Sequence, residues 1–157
     1  MPDRPMRIGI LSDTHSLLRP EVLPLLAGSD HILHLGDVGD PEILGKLAKQ
    51  APVTAIRGNI DTQGPCANLP ETEVAVFGNH HFYMLHDLQK LDLDPAAAGF
   101  AAILYGHSHK PEIRHKGVLY MNPGSCGPRR FQLPITCGQI IIHKNGQIEA
   151  KILNLPI

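Results

Sequence analysis

Five short apolar runs in this chain each stop at a polar cluster. Residues 7–12 lead into Asp13-Thr14-His15, residues 31–35 into Gly36-Asp37-Val38-Gly39-Asp40, and residues 53–56 into Arg57-Gly58-Asn59-Ile60-Asp61. Residues 81–85 lead into His86-Asp87, and residues 101–105 into Gly106-His107-Ser108-His109. Runs this short suit buried strands rather than helices. Each cluster therefore falls at the carboxyl end of a strand, where layered α/β sheets collect their ligands. The chain is thus constrained to a fold in which five loops meet on one edge.

The segments between these runs complete the layers. Residues 20–26 read as a short helix closed by Gly28. Asp40-Pro41-Glu42 opens another helix with a cap, a proline in the first turn and an acidic residue, and that helix runs to about Gln50. Strand and helix alternate through this first third, which predicts parallel pairing. Gly78-Asn79 and Asn145-Gly146 lie between apolar runs and predict two hairpins, making the sheets mixed. Residues 95–99 suggest one more short helix and residues 117–121 one more strand. One sandwich domain spanning 1–157, with helices outside the sheets, is expected.

Composition narrows the function. Fourteen Lys and Arg against fifteen Asp and Glu leave no broad basic surface for nucleic acid or anionic lipid. An anionic substrate must be drawn by a local feature. Cys66, Cys126 and Cys137 are odd in number and lack Cys-x-x-Cys spacing, which argues against a disulfide framework or a structural zinc site and for a reducing cytoplasm. The apolar run after Arg7 is too short for a signal-peptide core or a membrane span.

As ligands the clusters offer two carboxylates, Asp13 and Asp37, one amide oxygen, Asn59, and four imidazoles, His15, His86, His107 and His109. Alternate residues of an extended segment point the same way, so Asp13 with His15, and His107 with His109, can each serve one site. The expected assignment is Asp13, His15, Asp37 and His109 on one metal, and Asp37, Asn59, His86 and His107 on another. Asp37, Asn59 and His107 are also assigned to catalysis. Mixed imidazole and oxygen ligands without thiolate suit Mn²⁺, Fe²⁺, Zn²⁺, Co²⁺ or Ni²⁺ better than Ca²⁺, and Mn²⁺ is the expected pair. Two such ions, roughly 3.5–4 Å apart, would acidify a bridging water for in-line attack on a phosphate ester.

Asp-x-His, Gly-Asp-x-x-Asp, Gly-Asn-x-Asp, a later His and Gly-His-x-His, in this order, resemble the calcineurin-like metallophosphoesterases. The short length and Met121-Asn122-Pro123-Gly124-Ser125 are similar to the small YfcE-type phosphodiesterase branch, which also contains a retromer scaffold subunit. The resemblance implies a four-layer α/β/β/α sandwich with mixed sheets, the metal assignment above and a small phosphoester substrate. The wider family has histidine after Gly-Asn, placed to help protonate the leaving group. Here that position is Ile60, which has no proton to give, so a bias toward good leaving groups is expected.

Other polar residues have plainer readings. Asp40 reads as a helix cap, Asp61 as a loop-fixing carboxylate, and His31 and His34 as core or supporting groups. His80, His81, His115 and His143 read as surface or hairpin residues. Asn122 and Ser125 read as a turn, and Arg57, Arg129 and Arg130 as solvated or anion-contacting side chains. The rival to an enzyme is a scaffold that keeps the fold and binds partners; homo-oligomers are compatible with either. A mononucleotide-binding domain is disfavoured, since no Gly-x-Gly-x-x-Gly follows the first strand.

Overall fold

The computed structural model describes residues 4–157; Met1 to Asp3, the start of the expected domain, lie outside the described residues. Two five-stranded sheets stack face to face. The first is built from β1 (Met6–Leu11), β2 (His31–His34), β3 (Val53–Ala55), β9 (Thr136–Ile142) and β10 (Ile148–Asn154), in the order β10-β9-β1-β2-β3. Its β1, β2 and β3 are parallel, and the β9–β10 hairpin joins antiparallel to β1. The second holds β4 (Thr72–Phe77), β5 (His80–Leu85), β6 (Ala102–Leu104), β7 (Glu112–His115) and β8 (Leu119–Asn122), in the order β4-β5-β6-β8-β7. There β5, β6 and β8 are parallel and the two edge strands antiparallel.

Period-two alternation sorts the apolar side chains into layers. Ile8 and Ile10 of β1, Phe82 and Met84 of β5, Ala102 and Leu104 of β6, and Ile140 and Ile142 of β9 fill the space between the sheets. The outer face of the first sheet is covered by α1 (Val22–Leu25) and α2 (Glu42–Ala48), whose Val22, Ile43 and Leu47 pack with Leu11, Ile32 and Cys137. Ile103, Tyr105 and Val118 on the outer face of the second sheet meet Leu88, Leu91 and Phe100. That fourth layer is thin: a 3₁₀ turn at Leu88–Lys90 and the loop after it.

Two local expectations change. Residues 95–99 form hydrogen-bonded turns rather than a helix, with Ala98 N–H on the Asp94 carbonyl at 2.9 Å and Phe100 N–H on the Pro95 carbonyl at 3.0 Å. β7, absent from the sequence reading, is an edge strand whose alternation is masked by Glu112, Arg114 and His115. Among the described residues no helix is long and apolar enough to cross a membrane.

Candidate metal centre

Three of the five loops, those after β1, β2 and β6, turn sharply as they leave their strands. Asp13, His15, Asp37, His107 and His109 all hold left-handed backbone, with φ of 59°, 45°, 57°, 74° and 65°. Such conformations cost about 1–3 kcal/mol each in a residue with a side chain, and they persist where the surroundings enforce them. Close approach does the enforcing. A Cβ on Gly58 would enter the Asp37 carboxylate, and one on Gly106 would collide with Ser12 Oγ, so the loops interlock only as glycines.

The seven side chains expected as ligands meet on this edge. Asp37 Oδ2 lies 3.2 Å from Nε2 of both His15 and His86. Asp13 Oδ1 lies 3.6 Å from the same two nitrogens and 3.3 Å from His109 Nε2. The Asn59 amide terminus is 3.0 Å from Asp37 Oδ2 and 3.2 Å from His86 Nε2 and His107 Nδ1. The rings pair off, His15 with His109 at 5.2 Å and His86 with His107 at 5.3 Å between centroids. Both Asp13-His15-His109 and Asp13-Asp37-His86 are spaced to hold an ion. Either carboxylate is therefore within reach of both sides; Asp37 Oδ2 is nearer His15 and His86 and adjoins Asn59, whereas Asp13 Oδ1 leans to His109.

The electrostatics fit a cation. Burial alone would raise the Asp13 carboxyl, but the adjoining imidazoles of His109 and His15 outweigh it and hold the group well below the usual range. Asp37 is likewise depressed, with burial opposed by His15, His86 and the Ile60 N–H. His15 is pushed up to about 9 by Asp13 and then Asp37. His86 is raised as well, because Asp37 and Asp13 overcome its burial. Asp13 Oδ1 and His15 Nε2 are buried without a hydrogen-bond partner. The Asn59 amide can meet Asp37 and the two ring nitrogens with its NH₂ or, beside a cation, with Oδ1. Divalent ions on the two sides of the cluster would satisfy these atoms, so the residues fit the metals that the ligand types suggested.

Supporting contacts aim the ligands. His86 donates Nδ1–H to the Leu35 carbonyl at 2.7 Å, leaving the Nε2 lone pair free. Ser12 Oγ–H and the His107 N–H donate to Asp13 Oδ2 at 2.7 and 3.1 Å. Asp61 is a pin, accepting from the N–H groups of Val38, Gly39 and Gly58 at 3.1, 3.0 and 2.9 Å. Buried His34 accepts from Gly36 N–H through Nδ1, so its Nε2–H donates to Thr14 Oγ1, which donates onward to the Val38 carbonyl. Burial drops His34 to about 4. Asn122 donates to the Gly106 carbonyl and to Ser108 Oγ, and Ser125 to the Asp13 carbonyl, so this segment clamps two ligand loops besides turning.

Sequence reasoning missed Ser12, Thr14 and the Leu35 carbonyl as supports; only their position beside the ligand loops hinted at them. Asp40 Oδ1 accepts from Glu42 N–H at 2.9 Å, as its capping role requires. His31 bonds Thr54, His80 the Gly146 carbonyl, and His143 pairs with Glu149, all apart from the cluster. Arg129 donates to the Leu133 carbonyl, while Arg57 pairs with Glu71 at 2.6 Å.

Residues 6–145 match the family model described as the calcineurin-like phosphoesterase superfamily domain. The chain is 35% identical over 134 residues to a probable metallophosphoesterase of Methanocaldococcus jannaschii, covering 76% of this chain and 68% of that one. Among solved structures it resembles vacuolar protein sorting 29 from Cryptosporidium parvum, with a TM-score of 0.76 at 19% identity over 96% of this chain and 97% of the other. It also resembles YfcE, a phosphoesterase from E. coli, with a TM-score of 0.68 at 21% identity over 96% and 100%.

Proposed function

We propose that this chain, which belongs to the calcineurin-like phosphoesterase superfamily, is a phosphodiesterase that works with two divalent ions. One ion would be held by Asp13, His15, Asp37 and His109, and the other by Asp37, Asn59, His86 and His107. The observation that carries this reading is Asp37 Oδ2, equidistant at 3.2 Å from His15 and His86 and beside the Asn59 amide. Divalent ions there would polarise a phosphoryl group and make water nucleophilic at neutral pH. Mn²⁺ is the proposed ion, with Fe²⁺, Zn²⁺, Ni²⁺ and Co²⁺ also suited to this ligand set.

The chain's own groups do the positioning. Exposed Asn59 and His107 stand at the mouth, where an ester can reach them. Ile60 fixes Asp37 Oδ1 through its backbone N–H at 3.0 Å, while its side chain, 40% exposed, brings no proton to a leaving oxygen. Aryl esters, whose oxyanions leave unprotonated, are the favoured substrates. The free, buried cysteines support a reducing compartment, and the cytoplasm is the proposed setting. A scaffold has no chemical use for the whole ligand set, which sets the enzyme reading above it.

The test is a metal-stripped sample assayed with Mn²⁺, Ni²⁺, Zn²⁺ and Mg²⁺ against aryl phosphodiesters and monoesters, with metal content measured alongside. Metal-restored diester hydrolysis near two ions per chain is expected. Failure to retain any ion, with no hydrolysis, would leave the scaffold reading.

A further inference from the structure

A cleft of about 520 Å³ opens from one flank of the ligand cluster. It is bordered by Asn59, His86 and His107, and by none of Asp13, His15, Asp37 or His109, so it extends the site in a single direction. The volume is within the range of small-molecule pockets, about 300–1,000 Å³, and exceeds what a bare phosphoryl group fills. Half-buried Tyr83, its ring 5.1 Å from Phe100, and buried Leu85 give the cleft an apolar wall.

Charge on the other walls is one-sided. Arg57 and Lys90 face Asp61, Glu71, Asp87 and Asp92. Arg57 is committed to Glu71 and to the Ala67 carbonyl, and Asp61 to its three backbone donors. That leaves exposed Lys90 against Asp92 and Asp87, the latter also accepting the Gln89 N–H at 3.0 Å, and the formal charge of the six side chains is negative. Beyond the ligand cluster the cleft is acidic, although the phosphoryl group it adjoins is an anion.

We infer that this cleft seats the organic substituent of the phosphoester and selects one that lies flat against Tyr83 and Leu85 and carries no negative charge of its own. The inference rests on the proposed function, since the ions would anchor the phosphoryl end. It also supplies a reason for diester preference: a second ester group removes an ionisable phosphoryl oxygen and offers the cleft a neutral body to hold. A substituent bearing a carboxylate or another phosphate meets Asp92 and Asp87 instead.

Calorimetric titration of the metal-loaded protein with four phosphonates tests this without turnover. Methylphosphonate reports the phosphoryl seat alone. Phenylphosphonate, 2-aminoethylphosphonate and 3-phosphonopropionate add a neutral ring, a cation and an anion. The neutral and cationic ligands should bind about three- to tenfold more tightly than the anionic one, the scale of one unit charge across a partly solvated gap. Asp92→Lys, a surface change that spares the fold, should shrink or reverse that order, and Tyr83→Ala should weaken phenylphosphonate while sparing methylphosphonate. Equal affinities for the substituted ligands, or an order untouched by Asp92→Lys, would overturn the cleft assignment while leaving the phosphoesterase standing. Absence of methylphosphonate binding would instead remove the phosphoryl seat on which both rest.

Discussion

Asp61→Asn isolates what holds the ligand loops together, because Asp61 touches no expected ligand side chain. Its carboxylate accepts three backbone N–H groups, from Val38, Gly39 and Gly58. An asparagine keeps one acceptor oxygen, best placed on Val38 and Gly58, and turns its NH₂ toward the Gly39 N–H. Hydrogen bonds to charged groups contribute about 1.5–3 kcal/mol and neutral ones about 0.5–1.5, so the two retained bonds lose about 2 kcal/mol together. The orphaned Gly39 N–H adds about 1–3 kcal/mol, and relief from burying a charge offsets part of this, leaving about 3 kcal/mol. For a chain of this size that corresponds to a fall of roughly 6–12 °C in melting temperature. The assay is thermal unfolding in chelator, which separates this term from metal binding. Asp61→Ala should fall further, since no acceptor remains. A melting temperature for Asp61→Asn within about 1 °C of the parent would refute the pin.

Asp37→Asn should lower metal content at both positions, whereas His86→Ala should lower it mainly at one; elemental analysis after dialysis against limiting Mn²⁺ decides between them. With His15 raised to about 9 in the metal-free protein, loading at pH 7 should release protons, visible as a binding heat that changes with buffer ionisation enthalpy. Apparent affinity should therefore climb as pH rises toward 9. His34 has a folded value near 4 against an unfolded value near 6.5, so its contribution is complete above about pH 6.5 and is lost as pH falls through 4. The loss is about 3 kcal/mol, and His34→Gln should flatten that limb of a chemical-denaturation series against pH. Ile60→His should raise single-turnover rates on alkyl more than on aryl diesters, and no dependence on leaving-group pKa in the parent would show that another residue supplies the proton.

Most of the fold was legible because strand ends and turns carry local chemistry. Gly78 and Gly146 have φ of 63° and 88°, as the Asn-Gly and Gly-Asn turn signals required. The ligand loops were legible for the same reason, each beginning where an apolar run stops. What escaped notice depends on distant partners. The Leu35 carbonyl that orients His86 is a backbone atom at a separation of 51 residues, and no side-chain pattern announces it. Asn122 and Ser125 looked like an ordinary turn because their work lies across the sheet, on Gly106 and Asp13. β7 was hidden since an edge strand exposed to water needs few apolar residues.

No expected ligand lies beyond His109, yet the groups that aim the first and last ligand loops, Asn122 and Ser125, come later. β9, which flanks β1, and its partner β10 come later still. During synthesis the chain is released from its amino end, so the first and last ligand loops reach the cell before the Asn122–Ser125 segment that clamps them, whereas His86 meets a Leu35 carbonyl already released. A ribosome-bound chain exposed only to Lys110 would carry a cluster of imidazoles and carboxylates with freely turning loops, able to catch ions in unproductive arrangements. If the cluster holds ions, their correct seating would await the Asn122–Ser125 segment. Loss of everything after Lys110 would leave a chain with all seven expected ligands and neither of these clamps.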